Sequence, residues 1–183
     1  MTAQHDVVWT GMLKNGTAAT MRMLSPDDRE KVAAAVRKLD PESIYTRLFS
    51  HRKELTEAGL NRIMSVEPGR ELVLVVTTGT KTDEMVVGSG RYIASHPLGS
   101  SGRSAEVAFL VAKDHQGLGI AGRLLAQMTE LARKDGVIAF EADVLAENKS
   151  MLAVFARSGL PMKKRYEGGT VHVTLALVST EVA

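Results

Sequence analysis

The chain has 183 residues, 44% of them hydrophobic and 24% charged, and a formal net charge of +2 at pH 7, which suits one soluble globular domain over residues 1–183. No apolar stretch approaches the roughly 18 to 20 residues of a membrane span, and the small net charge argues against nucleic acid as a partner. The absence of cysteine excludes disulfides and thiolate metal sites, and five histidines without metal-ligand spacing predict no metal.

The N-terminal part predicts a lead-in, a strand and a helix. Residues 1–16 carry little pattern and are expected to be poorly ordered. They contain no basic region followed by an apolar core, so we expect a cytoplasmic protein. A strand is predicted over residues 17–23. Ser25-Pro26-Asp27-Asp28 then combines a capping hydroxyl, a proline at the first helical position and acids in the first turn, which predicts a helix to about Leu39.

The middle of the chain predicts two short helices and a hairpin. Cap-and-proline signals and apolar periodicity place the next elements at residues 41–50 (helix), 55–64 (helix), 71–78 (strand) and 85–94 (strand). Gly88 and Gly90, inside the second strand, indicate a bulge or a close backbone approach. Residues 96–103 then form either a mobile loop that covers a site or a plain surface connection.

The C-terminal half has the strongest pattern. It predicts a strand over 105–112, a helix over 119–134 stopped by Gly136, a strand over 137–144, a helix over 148–157, and a hairpin of strands 163–167 and 170–176. The order of elements predicts a mixed, mostly antiparallel sheet covered by helices on both faces. The fold class is therefore α/β, or α+β with a mixed sheet.

The segment from Glu106 to Arg123 joins an apolar strand, a polar turn and a glycine-rich helix start. Backbone N–H groups from Gly117 to about Gly122 are predicted to point at a diphosphate on the positive end of the helix. The same glycines spell both G-x-G-x-x-G and, counted from Gln116, Q-x-x-G-x-A. These two patterns imply different ligands, and a simple helix cap is the third possibility.

The dinucleotide interpretation of these glycines fits poorly. Glu141 and Asp143 nearly satisfy the required acid about 20 residues further on. However, four residues separate the strand from Gly117, and repeated strand-helix units do not follow. A nucleoside-triphosphate loop is excluded because Arg123 and Leu124 stand where lysine and serine or threonine are needed.

Residues 116–121 resemble the acyl-coenzyme A diphosphate motif of the GNAT superfamily of N-acetyltransferases, and Asn148, seven residues before Phe155, is similar to the next motif of that superfamily. The resemblance spans roughly residues 17–177. It implies a GNAT fold with acetyl-CoA as acyl donor. It also implies that the strands 105–112 and 137–144 splay apart around the pantetheine arm.

A narrower resemblance concerns residues 41–49 and 144–151, which are similar to bacterial protein-lysine acetyltransferases. It implies acetyl transfer to a primary amine, with a protein lysine as the favoured acceptor. A small-molecule amine, or a non-catalytic acyl-CoA-binding module, is the alternative.

The resemblance also assigns roles to residues. Glu106 is the candidate general base, with Glu141 and Asp143 as weaker rivals and an exposed strand-end glutamate as the plain alternative. Backbone N–H groups near Leu110 and Val111 are expected to hold the thioester carbonyl. The expected cofactor-binding residues are Leu110, Val111, Gln116, Gly117, Leu118, Gly119, Ile120, Ala121, Gly122, Arg123, Asn148 and Met151.

One position departs from the pattern of the superfamily. Many relatives protonate the departing thiolate with a tyrosine where this chain has Phe155, and phenylalanine cannot donate a proton. Tyr166 or a water molecule is the possible substitute. A thiol with a pKa near 8.5 also leaves as thiolate without an acid.

Overall fold

The computed structural model describes residues 6–39, 56–96 and 102–178. Eight strands form one mixed sheet in the order β1-β2-β3-β4-β5-β6-β8-β7. Their bounds are β1 Val7–Met12, β2 Ala18–Met23, β3 Glu71–Thr78, β4 Met85–Ala94, β5 Arg103–Val111, β6 Val137–Leu145, β7 Met162–Glu167 and β8 Thr170–Ala176. The described helices are α1 Arg29–Arg37, α2 Glu57–Met64, α3 Ile120–Lys134 and α4 Lys149–Ala156. The predicted mixed α/β architecture is confirmed.

Neighbouring strands are antiparallel except β5 and β6, which are parallel. The helix predicted over residues 41–50 and most of the loop 96–103 lie outside the described residues. Within the described ranges, no helix has the length and apolar character needed to cross a membrane.

Strand β1 is a correction to the expected lead-in. Residues 7–12 are not poorly ordered, because they pair antiparallel with β2 at the sheet edge. An edge strand has only one neighbour, and Val7 and Met12 remain exposed, so the alternation that marks a half-buried strand is weak here. Trp9 packs against the main core, and Leu13 after the strand is buried within it. Pairing with β2, which the local sequence pattern does not reveal, stabilises this strand.

The cap predicted before α1 is present as a capping box. Asp27 N–H donates to Ser25 Oγ, and Ser25 N–H donates to the Asp28 carboxylate at 2.8 Å. The buried Arg22 guanidinium donates to both oxygens of Asp28 at 2.7 Å. Burial by itself would raise the pKa of Asp28, but the hydrogen bonds from Arg22 and Ser25 outweigh it and hold that pKa below its ordinary value. The box therefore fixes the start of α1 against β2.

The main core lies between the sheet and helices α3 and α4. Gly90 and Gly88 allow α3 to approach the sheet, since a Cβ on them would lie 2.5 Å from Met128 Sδ and 2.8 Å from Ile120 Cγ2. The register of β3 and β4 also shifts near Gly88. The predicted bulge and close approach are both confirmed. A smaller cluster packs α1 and α2 together through Val32, Ala33 and Leu60.

A buried arginine fixes both ends of the segment that carries the glycine turn. Arg103, at the start of β5, is 1% exposed. Its guanidinium donates to the Asp135 carbonyl after α3, at 2.7 and 3.0 Å, and to the carbonyls of Gly69 and His96. The bonds to Asp135 satisfy a carbonyl group that the end of α3 leaves without an intrahelical donor. The beginning of β5 and the end of α3 are thereby held together.

Candidate active site

Strands β5 and β6 separate along their length. Their parallel register runs from Arg103 opposite Val137 to Glu106 opposite Glu141 and stops there. Both strands continue, β5 through residues 107–111 and β6 through residues 142–145, without a ladder between them. The splay that the resemblance implies is confirmed, and it leaves backbone groups of β5 facing an opening.

The direction of the β5 backbone decides which N–H groups face this opening. Ala112 N–H donates to the Val87 carbonyl of β4 at 2.9 Å, and the β4–β5 register is uninterrupted. Because successive N–H groups of a strand point to opposite sides, Leu110 N–H also points toward β4. The N–H groups of Phe109 and Val111 point the other way, toward the opening. A carbonyl oxygen placed there has a donor from the strand.

The turn between β5 and α3 uses two glycines in a left-handed conformation. Gly117 has φ 76°, and Gly119, the N-cap of α3, has φ 90°. Other residues rarely adopt these values. The Gln116 side-chain amide donates to the Val111 carbonyl at 3.4 Å and joins the turn to the strand. Gly122 does not have a left-handed φ, and a Cβ added to it would meet no other atom. Its conformation therefore does not require glycine.

A groove of about 1320 Å³ runs along this turn between the β5 end, α3 and α4. It exceeds the roughly 300 to 1,000 Å³ of a site for a drug-sized ligand, so it suits a long cofactor. Ten of the predicted cofactor-binding residues line it: Leu110, Val111, Gln116, Gly117, Gly119, Ile120, Ala121, Gly122, Asn148 and Met151. Leu118 and Arg123 are not among the lining residues. Leu118 packs against the core, and the Arg123 guanidinium lies 4.5 Å from the Trp9 ring centroid.

Helix α4 forms the other wall of the groove. Asn148 is its N-cap, and its Oδ1 accepts a hydrogen bond from Met151 N–H at 3.2 Å. Phe155 is 1% exposed and meets Phe109 edge-on, with ring centroids 6.1 Å apart. Phe155 is thus a core residue. Tyr166 is 66% exposed on β7 and does not line the groove.

Three carboxylates lie on the sheet face opposite α3. Glu106 is exposed, whereas its strand neighbours on either side are buried. Its register partner Glu141 accepts a hydrogen bond from Ser104 Oγ at 3.3 Å. His172 of β8 places Nδ1 2.7 Å from Asp143 Oδ1 and Nε2 3.6 Å from Glu141 Oε1. The hydrogen bond to Asp143 raises the pKa of His172 above its ordinary value, against a smaller opposing effect of burial.

Sequence reasoning missed His172, Ser104 and Lys14. The first two join the carboxylates only through the register of neighbouring strands, which local patterns do not reveal. Lys14 follows β1, in the segment expected to be poorly ordered, yet it lines the groove beside Gly119. In the described ranges no group of three or more His, Asp and Glu residues is arranged to hold a metal ion.

A sheet that opens between two parallel strands, beside a glycine turn at a helix N-terminus, defines a fold of the acyl-CoA N-acyltransferase type. The model of the GNAT acetyltransferase family matches residues 33–160. The chain therefore belongs to the GNAT family and is an acetyl-CoA-dependent N-acetyltransferase.

Three relatives are similar over most of this chain. Acetyltransferase PA5475 of Pseudomonas aeruginosa is 27% identical over 143 residues, 78% of this chain and 75% of that protein. Acetyltransferase Pat of Mycolicibacterium smegmatis is 31% identical over 147 residues, 80% of this chain and 42% of its own length. The crystal structure of the GNAT domain of S. lividans PAT superimposes with a TM-score of 0.80 at 28% identity, covering 92% of this chain and 96% of that one.

Proposed function

We propose that this enzyme acetylates lysine side chains of proteins, with Glu106 as the general base. The observation that carries the proposal is the position of an exposed carboxylate at the residue where β5 and β6 part. The similarity of residues 144–151 to bacterial protein-lysine acetyltransferases supports a protein acceptor. The likeness to proteins named Pat and PAT agrees with it.

The residues of the groove fit acetyl-CoA. The turn from Gly117 to Gly119 and the first N–H groups of α3 would hold its diphosphate, since the positive end of a helix favours anions. The opening between β5 and β6 interrupts the pairing of these two strands, and the pantetheine arm would lie in it. The Asn148 side-chain nitrogen, which the α4 cap does not use, would donate to an amide carbonyl of that arm. Acetyl-CoA supplies the thioester whose carbonyl carbon the amine attacks.

A lysine acceptor needs a base. With a pKa of about 10.4, only about 0.04% of lysine is neutral at pH 7, a deficit of about 4.6 kcal/mol. The Glu106 carboxylate would take the ammonium proton, directly or through one water. Among the described residues Glu106 has no side-chain hydrogen bond, whereas Glu141 and Asp143 are engaged by Ser104 and His172. This difference favours Glu106 over its two rivals.

Two further groups complete the proposed mechanism. Val111 N–H, which points into the opening, would donate to the thioester oxygen as negative charge develops on it. The leaving sulfur needs no side-chain acid, because a thiol with a pKa near 8.5 departs as thiolate. Phe155, buried in the core, supplies no proton.

Transfer of a deuterated acetyl group from acetyl-CoA tests the acceptor class. The enzyme is incubated with a deacetylated protein extract and, separately, with a panel of small amines, and products are identified by mass spectrometry. Labelled acetyl-lysine in proteins is the expected result. Labelling confined to small amines would overturn the protein acceptor while leaving the family activity intact.

A further inference from the structure

We propose that Lys14, in the turn between β1 and β2, binds the diphosphate of CoA. The inference rests on the proposed seating of acetyl-CoA in the groove and adds a cation from the opposite end of the sequence. It assigns a ligand-binding role to the hairpin at the sheet edge.

The backbone of this hairpin turn is held by its own hydrogen bonds. Leu13 N–H donates to the Thr17 carbonyl at 2.8 Å, and Gly16 N–H donates to the Leu13 carbonyl at 2.9 Å. Thr17 N–H also donates to Asn15 Oδ1 at 3.0 Å. A turn closed in this way fixes the backbone at Lys14, so less backbone entropy is lost when a ligand binds.

Lys14 is joined directly to the glycine turn. Its N–H donates to the Leu118 carbonyl at 3.3 Å, which links the β1–β2 turn to the residue between the two left-handed glycines. Its Cε lies 3.6 Å from the position that a Cβ on Gly119 would occupy. The ammonium group is one bond beyond Cε. It therefore lies beside the N-cap of α3, where the groove is also lined by Gly117 and Gly119.

A second contact holds the same two segments together. The guanidinium of Arg123, in the first turn of α3, stacks on the Trp9 ring of β1 at 4.5 Å from its centroid. Arg123 is thus turned toward the hairpin and away from the groove, although its sequence position suggests a phosphate contact. Lys14 approaches the turn from that side, and in the described part of the chain it forms no ion pair with an acidic side chain.

Other basic residues also line the groove, among them Lys113, Lys149 and Arg157. Lys14 differs from Lys149 and Arg157 in that its own backbone is bonded to the diphosphate turn, and from Lys113 in that its side chain lies beside Gly119. A cation at this point adds to the positive end of the helix, and charge-assisted bonds to phosphate are the stronger kind. The contact at Gly119 assigns Lys14 to the diphosphate of CoA rather than to its 3′-phosphate.

Isothermal titration of the full chain with CoA and with 3′-dephospho-CoA tests this assignment. Lys14→Gln should weaken both ligands by roughly 10-fold, the loss expected for one charge-assisted contact. Lys14→Arg should retain most of the affinity. The matched control is Lys134→Gln, at the other end of α3 and outside the groove, which should bind like the wild type. In steady state, Lys14→Gln should raise KM for acetyl-CoA with kcat nearly unchanged.

Each contrary result has a distinct meaning. Equal affinities of wild type and Lys14→Gln for CoA would overturn the proposal. Weaker binding of CoA with unchanged binding of 3′-dephospho-CoA would move the contact to the 3′-phosphate and overturn the diphosphate assignment. If the wild type failed to bind CoA at all, the proposed seating would fail instead. The hydrogen bond to Leu118 comes from the backbone and persists in every variant, so matching thermal unfolding curves are expected.

Discussion

Glu106 of β5 and Glu141 of β6 are the last residues of these two strands to lie in register before the sheet opens. They share one face of the sheet but differ in their partners. Glu141 is bonded by Ser104, while Glu106 is exposed and has no side-chain partner in the described ranges. Of the two carboxylates beside the opening, Glu141 is therefore engaged in a hydrogen bond and Glu106 is available to accept a proton.

The two rival carboxylates should contribute little to proton removal. Glu141→Gln and Asp143→Asn should each lower kcat less than about 10-fold, because Ser104 and His172 already engage these two carboxylates. Steady-state kinetics at pH 7 and 8 with a lysine peptide checks this. A loss of about 100-fold or more in either variant would transfer the base assignment to that residue.

The titration of His172 should follow its carboxylate partner. Since the hydrogen bond to Asp143 raises its pKa above the unfolded value near 6.5, its contribution to stability is fully present below about pH 6.5. That contribution is lost as pH rises through the folded pKa. Histidine proton shifts followed by NMR should give a value above about 6.5 in the wild type.

Asp143→Asn should lower the His172 pKa toward the ordinary value, since the amide removes the negative charge but preserves the shape. An unchanged titration in that variant would show that another group sets the pKa of His172.

The two glycines at the start of α3 should respond differently to alanine. Gly119→Ala places a side chain at φ 90° and should cost about 1 to 2 kcal/mol of unfolding free energy. Gly122→Ala meets open space in a helix and should be neutral or stabilising by up to about 1 kcal/mol. Urea denaturation of both variants measures the difference. Comparable destabilisation by both would mean that the fold requires glycine at residue 122 as well.

Asn148 should have two separable functions. Asn148→Asp keeps an oxygen that accepts from Met151 N–H, so stability should be retained, but it loses the amide donor and should raise KM for acetyl-CoA. Asn148→Ala should lose about 1 kcal/mol of stability in addition. Thermal unfolding and steady-state kinetics on the same preparations separate the effects. Normal KM in Asn148→Asp would confine Asn148 to the helix cap.

Local features of the fold were predictable because their causes are local. Left-handed glycines, the Ser25 cap and the 3.6-residue periodicity of α3 act within a few residues of chain, and α3 lies close to its predicted bounds. The literal G-x-G-x-x-G was less informative, since Gly122 is an ordinary helical residue.

Features that depend on distant contacts were missed. β1 exists because β2 pairs with it, and Lys14 reaches the groove because that hairpin lies beside α3. The Asp143–His172 contact arises from the β6–β8 register. Nothing in the spacing of these residues along the chain brings them together. Arg123 shows the converse, because its position in the motif suggests phosphate binding while its side chain stacks on Trp9.

Single-turnover acetyl transfer to a lysine peptide, with wild type and Glu106→Gln both saturated with acetyl-CoA, measures directly whether Glu106 is the general base. Saturation removes differences in cofactor affinity, so the rate reports proton removal and attack. If Glu106 is the general base, the rate should fall by roughly 10² to 10⁴ in Glu106→Gln, with an unchanged Kd for acetyl-CoA. A variant that transfers acetyl at the wild-type rate would contradict this assignment.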